Sequence, residues 1–208
     1  MSKENKEKVQ MDPKYILTLT VTLFVTCVIV AGLLGGVNAI TADRIDAITK
    51  EKTEAAMQKV VADPEGSTFS DALELTEEMT AAAESYGATL AEAYAVEAGG
   101  APAGYTLKID ASGSQGIITM MVGVDAEGVV TGVSIVTNAE TAGIGSKVMS
   151  NELLPSGVGV LDQFQGKSAE GGDLVVGSGV DAISGATVST KGVTTGVNAA
   201  LAVAGVMG

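Results

Sequence analysis

The residues most able to do chemistry lie in one run, Asp181-Ala182-Ile183-Ser184-Gly185-Ala186-Thr187-Val188-Ser189-Thr190. It reads as a polar turn feeding a helix. Ser184, Thr187, Ser189 and Thr190 put hydroxyls near the helix start, and Gly185 lets a backbone approach closely. Free N–H groups and the positive end of the helix dipole suit such a place to a phosphate. The same residues also suit a plain Ser/Thr cap after a turn, and composition alone favours that reading. Elsewhere the chemical inventory is sparse. The 208 residues contain no histidine and one cysteine. Imidazole bases, His triads, an internal disulfide framework, Cys-rich zinc sites and iron–sulfur ligation are therefore excluded. A chain with so few reactive groups more naturally positions a bound cofactor that reacts.

Asp181, Ser184, Gly185, Ala186 and Thr187 together make D-x-x-S-G-A-T. This resembles the motif on which a flavin transferase esterifies the phosphate of FMN to the threonine hydroxyl. The motif occurs in the FMN-binding domains of the G subunit of the Rnf electron-transport complex and of the C subunit of the sodium-pumping NADH:quinone reductase. The resemblance implies that Thr187 carries covalent FMN. Asp181 would then serve flavin transfer as a recognition or metal-assisting group, rather than electron transfer.

A second segment, Asn138-Ala139-Glu140-Thr141-Ala142-Gly143-Ile144-Gly145-Ser146-Lys147, is similar to a loop that relatives write H-x-E-T-P-G-L-G. Asn138, Ala142 and Ile144 stand where relatives have His, Pro and Leu. Glu140, Thr141, Gly143 and Gly145 remain. A flavin-edge role would use the glycines for close backbone approach and Thr141 for a hydrogen bond to ring heteroatoms. Lys147 could pair with the phosphate or with an anionic reduced flavin. The plainer readings are a turn-stabilising carboxylate for Glu140, a solvated lysine for Lys147 and core for Tyr105.

These segments need a scaffold and an anchor. Ile16–Val37 holds 22 residues without a charge, about 33 Å as a helix, against a hydrocarbon core of about 30 Å. Thr18, Thr20, Thr22 and Thr26 can bond back to helix carbonyls, and Cys27 is a small apolar residue in mid-span. The run is longer than the core of a signal peptide. Lys3, Lys6, Lys8 and Lys14 precede it, which favours a cytoplasmic N-terminus and an extracytoplasmic domain. Residues 1–15 are thus expected in the cytoplasm, 16–38 in the membrane, 39–90 in a helical stalk and 91–208 in the FMN-binding domain. Helices are expected over Ile40–Val61 and Ser70–Ser85. Strands are expected over Ala91–Glu97, Gly104–Ala111, Gly116–Val124, Val129–Thr137 and Asp173–Val176. Short helices are expected at Lys147–Leu153 and Val158–Phe164. A small-residue helix, Thr187–Val206, should pack on the sheet. The fold class is α+β, with an antiparallel sheet and packed helices.

Twelve basic residues against 25 acidic ones leave a net charge of −13, which excludes a general nucleic-acid binder. The resemblance implies an electron-carrier subunit of the Rnf complex in the cell membrane. Its work would be ferredoxin:NAD+ oxidoreduction coupled to Na+ or H+ transport. Its partners would be the membrane and iron–sulfur subunits and the maturing flavin transferase, and the isolated chain would not turn over alone. The alternatives are the quinone reductase's C subunit, a pilin-like structural protein and a flavin sensor. The span lacks a pilin-type cleavage pattern, and no signalling module accompanies the domain.

Overall fold

A computed structural model describes residues 12–208. Lys3, Lys6 and Lys8, which carry most of the expected charge bias, lie outside the described residues, as does most of the segment expected in the cytoplasm. The chain divides into two units, residues up to Ile48 and residues Thr49–Gly208.

The first unit is helical. It belongs to α1, Pro13–Val60, a helix of 48 residues. Thr18, Thr20, Thr22 and Thr26 donate their hydroxyls to the carbonyls of Lys14, Ile16, Thr18 and Thr22, as expected. Their polar groups are therefore satisfied within the helix, as a lipid environment demands. Leu17, Leu23, Phe24, Ile29 and Leu33 are all exposed.

The second unit is built on a five-stranded antiparallel sheet in the order β1-β2-β3-β4-β5. The strands are Ser67–Phe69, Ala88–Ala98, Ala101–Ser112, Ile117–Asp125 and Val130–Asn138. Alternation assigns the faces. Leu107, Ile109, Ile118, Met120 and Val122 are fully buried on one face, under α2 (Glu77–Glu84) and α4 (Thr187–Met207). Small residues let α4 lie close. A Cβ on Gly192 would stand 2.6 Å from the Ser112 carbonyl oxygen. Tyr105 lies half-buried against this core and donates its hydroxyl to the Met207 carbonyl.

The other face receives the last turns of α1. Tyr94, Thr106, Gly123 and Gly132 stand opposite one another across four strands. The paired glycines open a trough in which Val60 sits. A Cβ on Gly123 would collide with the Val60 carbonyl, and one on Gly132 would come within 2.9 Å of its Cα. The Thr131 hydroxyl donates to the Val60 carbonyl, which satisfies one of the acceptors a helix end leaves open. Ala56, Met57 and Val60 then bury Met121 and Val136. Beside them Glu92 accepts from Tyr94 Oη at 2.6 Å and from Lys108 Nζ at 3.1 Å. Burial and then the Glu92 carboxylate push the Tyr94 phenol well above its ordinary range.

The sequence reading is corrected in the segment before the long strands. Ser70–Ser85 is not one helix. Ser70 and Leu73 donate backbone N–H groups to Ala95 and Ala93, so the chain runs on beside β2. The helix begins only at Glu77, where the Thr76 hydroxyl accepts from Met79 N. Residues 67–90, expected in a stalk, therefore give β1, α2 and the start of β2 to the sheet-centred unit. The expected helix over Val158–Phe164 is a single 3-10 turn, Asp162–Phe164. Lys147–Leu153 gives only α3, Gly145–Met149. Asp173–Val176 shortens to β6, Val175–Val176, paired in parallel with β7, Gly179–Val180.

The trough yields a prediction. Gly132→Ala pushes a methyl into the backbone of α1, which has no flexible end to yield. It should lower the stability of the full chain in detergent by about 1–3 kcal/mol, read as a drop in melting temperature. An unchanged melt would mean that Val60 does not seat there.

Candidate functional site

The helix α4 starts without a cap. Ala186 occupies the capping position and no side chain accepts from the first turn. The chain reaches it through a turn in which Gly185 has a φ of +83° and Ala186 N donates to the Ile183 carbonyl at 2.9 Å. Only glycine takes that conformation without strain. The turn is held from outside by Gln163, whose side-chain amide bonds both ways to the backbone of Asp181, at 2.7 and 2.9 Å. Nothing in the sequence pointed to Gln163, because its contact lies 18 residues away.

The hydroxyls of the motif divide into two sets. Ser189 and Thr190 are buried and used inside the protein, Thr190 on the Ala186 carbonyl. Ser184 and Thr187 are exposed, and neither hydroxyl has a protein partner among the described residues. Thr187 is the first residue of the helix, beside N–H groups that lack intrahelical acceptors. A hydroxyl with no competing bond, next to unused donors and the positive dipole end, can bear a phosphate. The expected Ser/Thr side-chain cap is therefore absent.

The second loop is brought to the same place by Glu140. One carboxylate oxygen accepts from the backbone N–H groups of Ser114 (2.7 Å) and Gln115 (3.2 Å), in the turn between β3 and β4. The other accepts the Ser189 hydroxyl. Gly145 lies directly against this bridge, where a Cβ would collide with Glu140 and come within 2.8 Å of Ser189 Oγ. Glu140 is thus engaged within the protein, in the manner of a turn-stabilising carboxylate. It fixes the loop and α4 relative to each other. Thr141 is exposed, and its carbonyl accepts from Ile144 and Ser146. Gly143 donates its N–H to Ser146 Oγ at 2.8 Å.

Lys147 makes an ion pair within its own segment. Its Nζ lies 3.4 Å from Glu152 Oε1, on the surface. The motif occupies an open surface, not a deep cavity. A cleft of about 480 Å³, lined by Lys50, Met57, Phe69 and Tyr94 among others, lies on the other face of the sheet and contains no motif residue.

Similarity to known proteins agrees with this geometry. The FMN-binding domain family matches residues 113–202, which include both loops and the start of α4. The G subunit of the Na+-translocating ferredoxin:NAD+ oxidoreductase complex of Acetobacterium woodii is 35% identical over 96% of this chain and 97% of its own length. The chain belongs to the G-subunit family of ion-translocating oxidoreductase complexes. The G subunit of the ion-translocating oxidoreductase complex of Methanosarcina acetivorans is 25% identical, covering 91% of this chain and 95% of that one. Among solved structures, the C subunit of the Na+-translocating NADH-quinone reductase of Parabacteroides distasonis aligns with a TM-score of 0.46 at 17% identity. It covers 78% of this chain and 93% of that chain. As a member of the G-subunit family, the chain is a membrane-anchored FMN-binding component of a multi-subunit, ion-translocating redox complex.

The Glu140 bridge can be tested. Glu140→Ala should speed amide exchange at Ser114, Gln115 and Thr190 and cost about 2–3 kcal/mol of stability, because the bonds run to a carboxylate and Ser189 is left buried without its acceptor. Glu140→Gln should restore most of both, because an amide can still accept from the turn. Unchanged exchange at Thr190 in the alanine variant would show that the bridge does not hold α4.

Proposed function

We propose that the chain carries FMN as a phosphoester of the Thr187 hydroxyl and passes electrons through it within an Rnf complex. The observation that carries this reading is the uncapped start of α4. The Thr187 hydroxyl has no hydrogen-bond partner among the described residues, and the first-turn N–H groups have no intrahelical acceptor. Gly185 and Ala186 supply the turn and its small-residue clearance. Ser184 stands beside them, and Asp181 presents an exposed carboxylate for the transferase to recognise.

The flavin supplies one-electron chemistry when bound. The protein's own residues bind and orient. Glu140 and Gly145 clamp the second loop to α4. A covalent tether also keeps the carrier loaded outside the cytoplasm, where free FMN is not expected. The orientation we infer, with the N-terminus inside and the domain outside the cell membrane, is supported by Lys14 and Tyr15 at the start of the apolar stretch.

Ferredoxin:NAD+ oxidoreduction, iron–sulfur partner subunits and coupling to Na+ or H+ belong to this reading. Full-length similarity to the Acetobacterium protein supports the ferredoxin:NAD+ reaction and Na+ coupling, and the iron–sulfur partners and the H+ alternative rest on the motif resemblance. A place in a quinone reductase as its C subunit is less well supported, because the whole-length relatives are G subunits.

Intact-mass measurement on full chain co-produced with a flavin transferase tests the attachment. Wild type and Thr187→Ser should gain one FMN, and Thr187→Ala none. A Thr187→Ala chain that remains fully loaded would contradict the assignment.

A further inference from the structure

A phosphodiester on Thr187 would carry one negative charge on a strongly acidic chain, so its counter-ion must come from a short set of cations. Beyond Val60 the chain contains no arginine and four lysines: Lys108, Lys147, Lys167 and Lys191. Lys108 is paired with Glu92 on the α1 side of the sheet. Lys147 is paired with Glu152. Lys167 follows the 3-10 turn at Phe164, and its carbonyl accepts from Val130 at the start of β5, whereas the Glu140 loop leaves from the end of that strand.

Lys191 remains. It is exposed on α4 and forms no ion pair among the described residues. It stands four residues after Thr187, one helical turn along the same face, and helical side chains lean toward the N-terminus. It also borders a cleft of about 280 Å³ shared with Val175, Val176, Thr194 and Asn198. Asn198 holds that wall by bonding both ways to the Leu174 backbone at 3.0 Å.

Taking the Thr187 phosphoester as given, we propose that Lys191 is the positioning residue that pairs with its phosphate and holds the tether along α4. The ammonium adds to the helix dipole at the one place where an otherwise acidic domain must keep an anion. It acts on the phosphate and touches neither the ring nor the path of the electrons.

The test uses full chain co-produced with a flavin transferase. Intact mass of the wild type first establishes that flavin is attached. A wild type without added mass would sink the phosphoester reading itself and the pairing with it. On loaded chain, the phosphorus-31 resonance of the phosphodiester then reads the pairing, and a partly loaded sample suffices because only flavin-bearing chain gives the signal. Between 0.01 and 1 M salt the Debye length falls from about 30 Å to about 3 Å, so an exposed pair should loosen. The wild-type resonance should shift with salt. In Lys191→Gln it should sit at the high-salt position throughout, Lys191→Arg should restore the salt-dependent shift, and Lys147→Gln should behave as wild type. A Lys191→Gln resonance that keeps the wild-type position and salt response would overturn the pairing. So would the loss of the salt response in Lys147→Gln instead.

Discussion

One carboxylate holds the site together. Glu140 reaches the turn between β3 and β4 with one oxygen and Ser189 of α4 with the other. The three segments come from positions far apart in the chain, and the bridge adds to the packing of Gly192 in α4 on the Ser112 carbonyl. With the bridge made, the start of α4 has a fixed place over the edge of the sheet. Ser189 is consumed in the process, and Thr190 is consumed by the helix. What is left exposed at an uncapped helix end is Thr187. The fold thus uses up Ser189 and Thr190 and leaves Ser184 and Thr187 as the exposed hydroxyls of the motif, of which Thr187 begins the helix.

Below the site the sheet is covered on both faces, and each cover depends on residues that are small where backbones meet. Gly192 lets α4 press on the β3–β4 end, and Gly123 with Gly132 admits the last turn of α1. The last turn of α1 therefore ends against the same strands that carry the Glu140 loop. A chain with no histidine can do redox work on such a frame, because it needs only rigidity, an anion site and a place for partners to approach the cofactor.

Much of this was legible in the sequence. Strand-like runs bounded by turns marked β3, β4 and β5, and the uncharged run marked the apolar part of α1. The D-x-x-S-G-A-T run identified its helix start. Local pattern failed where distant partners decided the outcome. Apolar spacing over Ser70–Ser85 resembles a helix, but β2 takes the backbone bonds of Ser70 and Leu73. Glu140 was marked for the right neighbourhood, although its carboxylate serves the protein's own turn and helix. Lys147, expected near the anion, makes a surface pair with Glu152 five residues on, a partner the loop's own pattern did not signal. Gln163 gave no signal, since a glutamine clamping a backbone 18 residues away has no local signature.

The central claim is that one exposed hydroxyl, and not its neighbours, bears the flavin. The most direct measurement is peptide mapping by tandem mass spectrometry of flavin-loaded chain, reading which residue of Ser184–Thr190 carries the FMN phosphoester. Modification at Thr187, with Ser184, Ser189 and Thr190 unmodified, is the predicted result. A flavin found on any of those three, or one released intact on denaturation, would contradict the account.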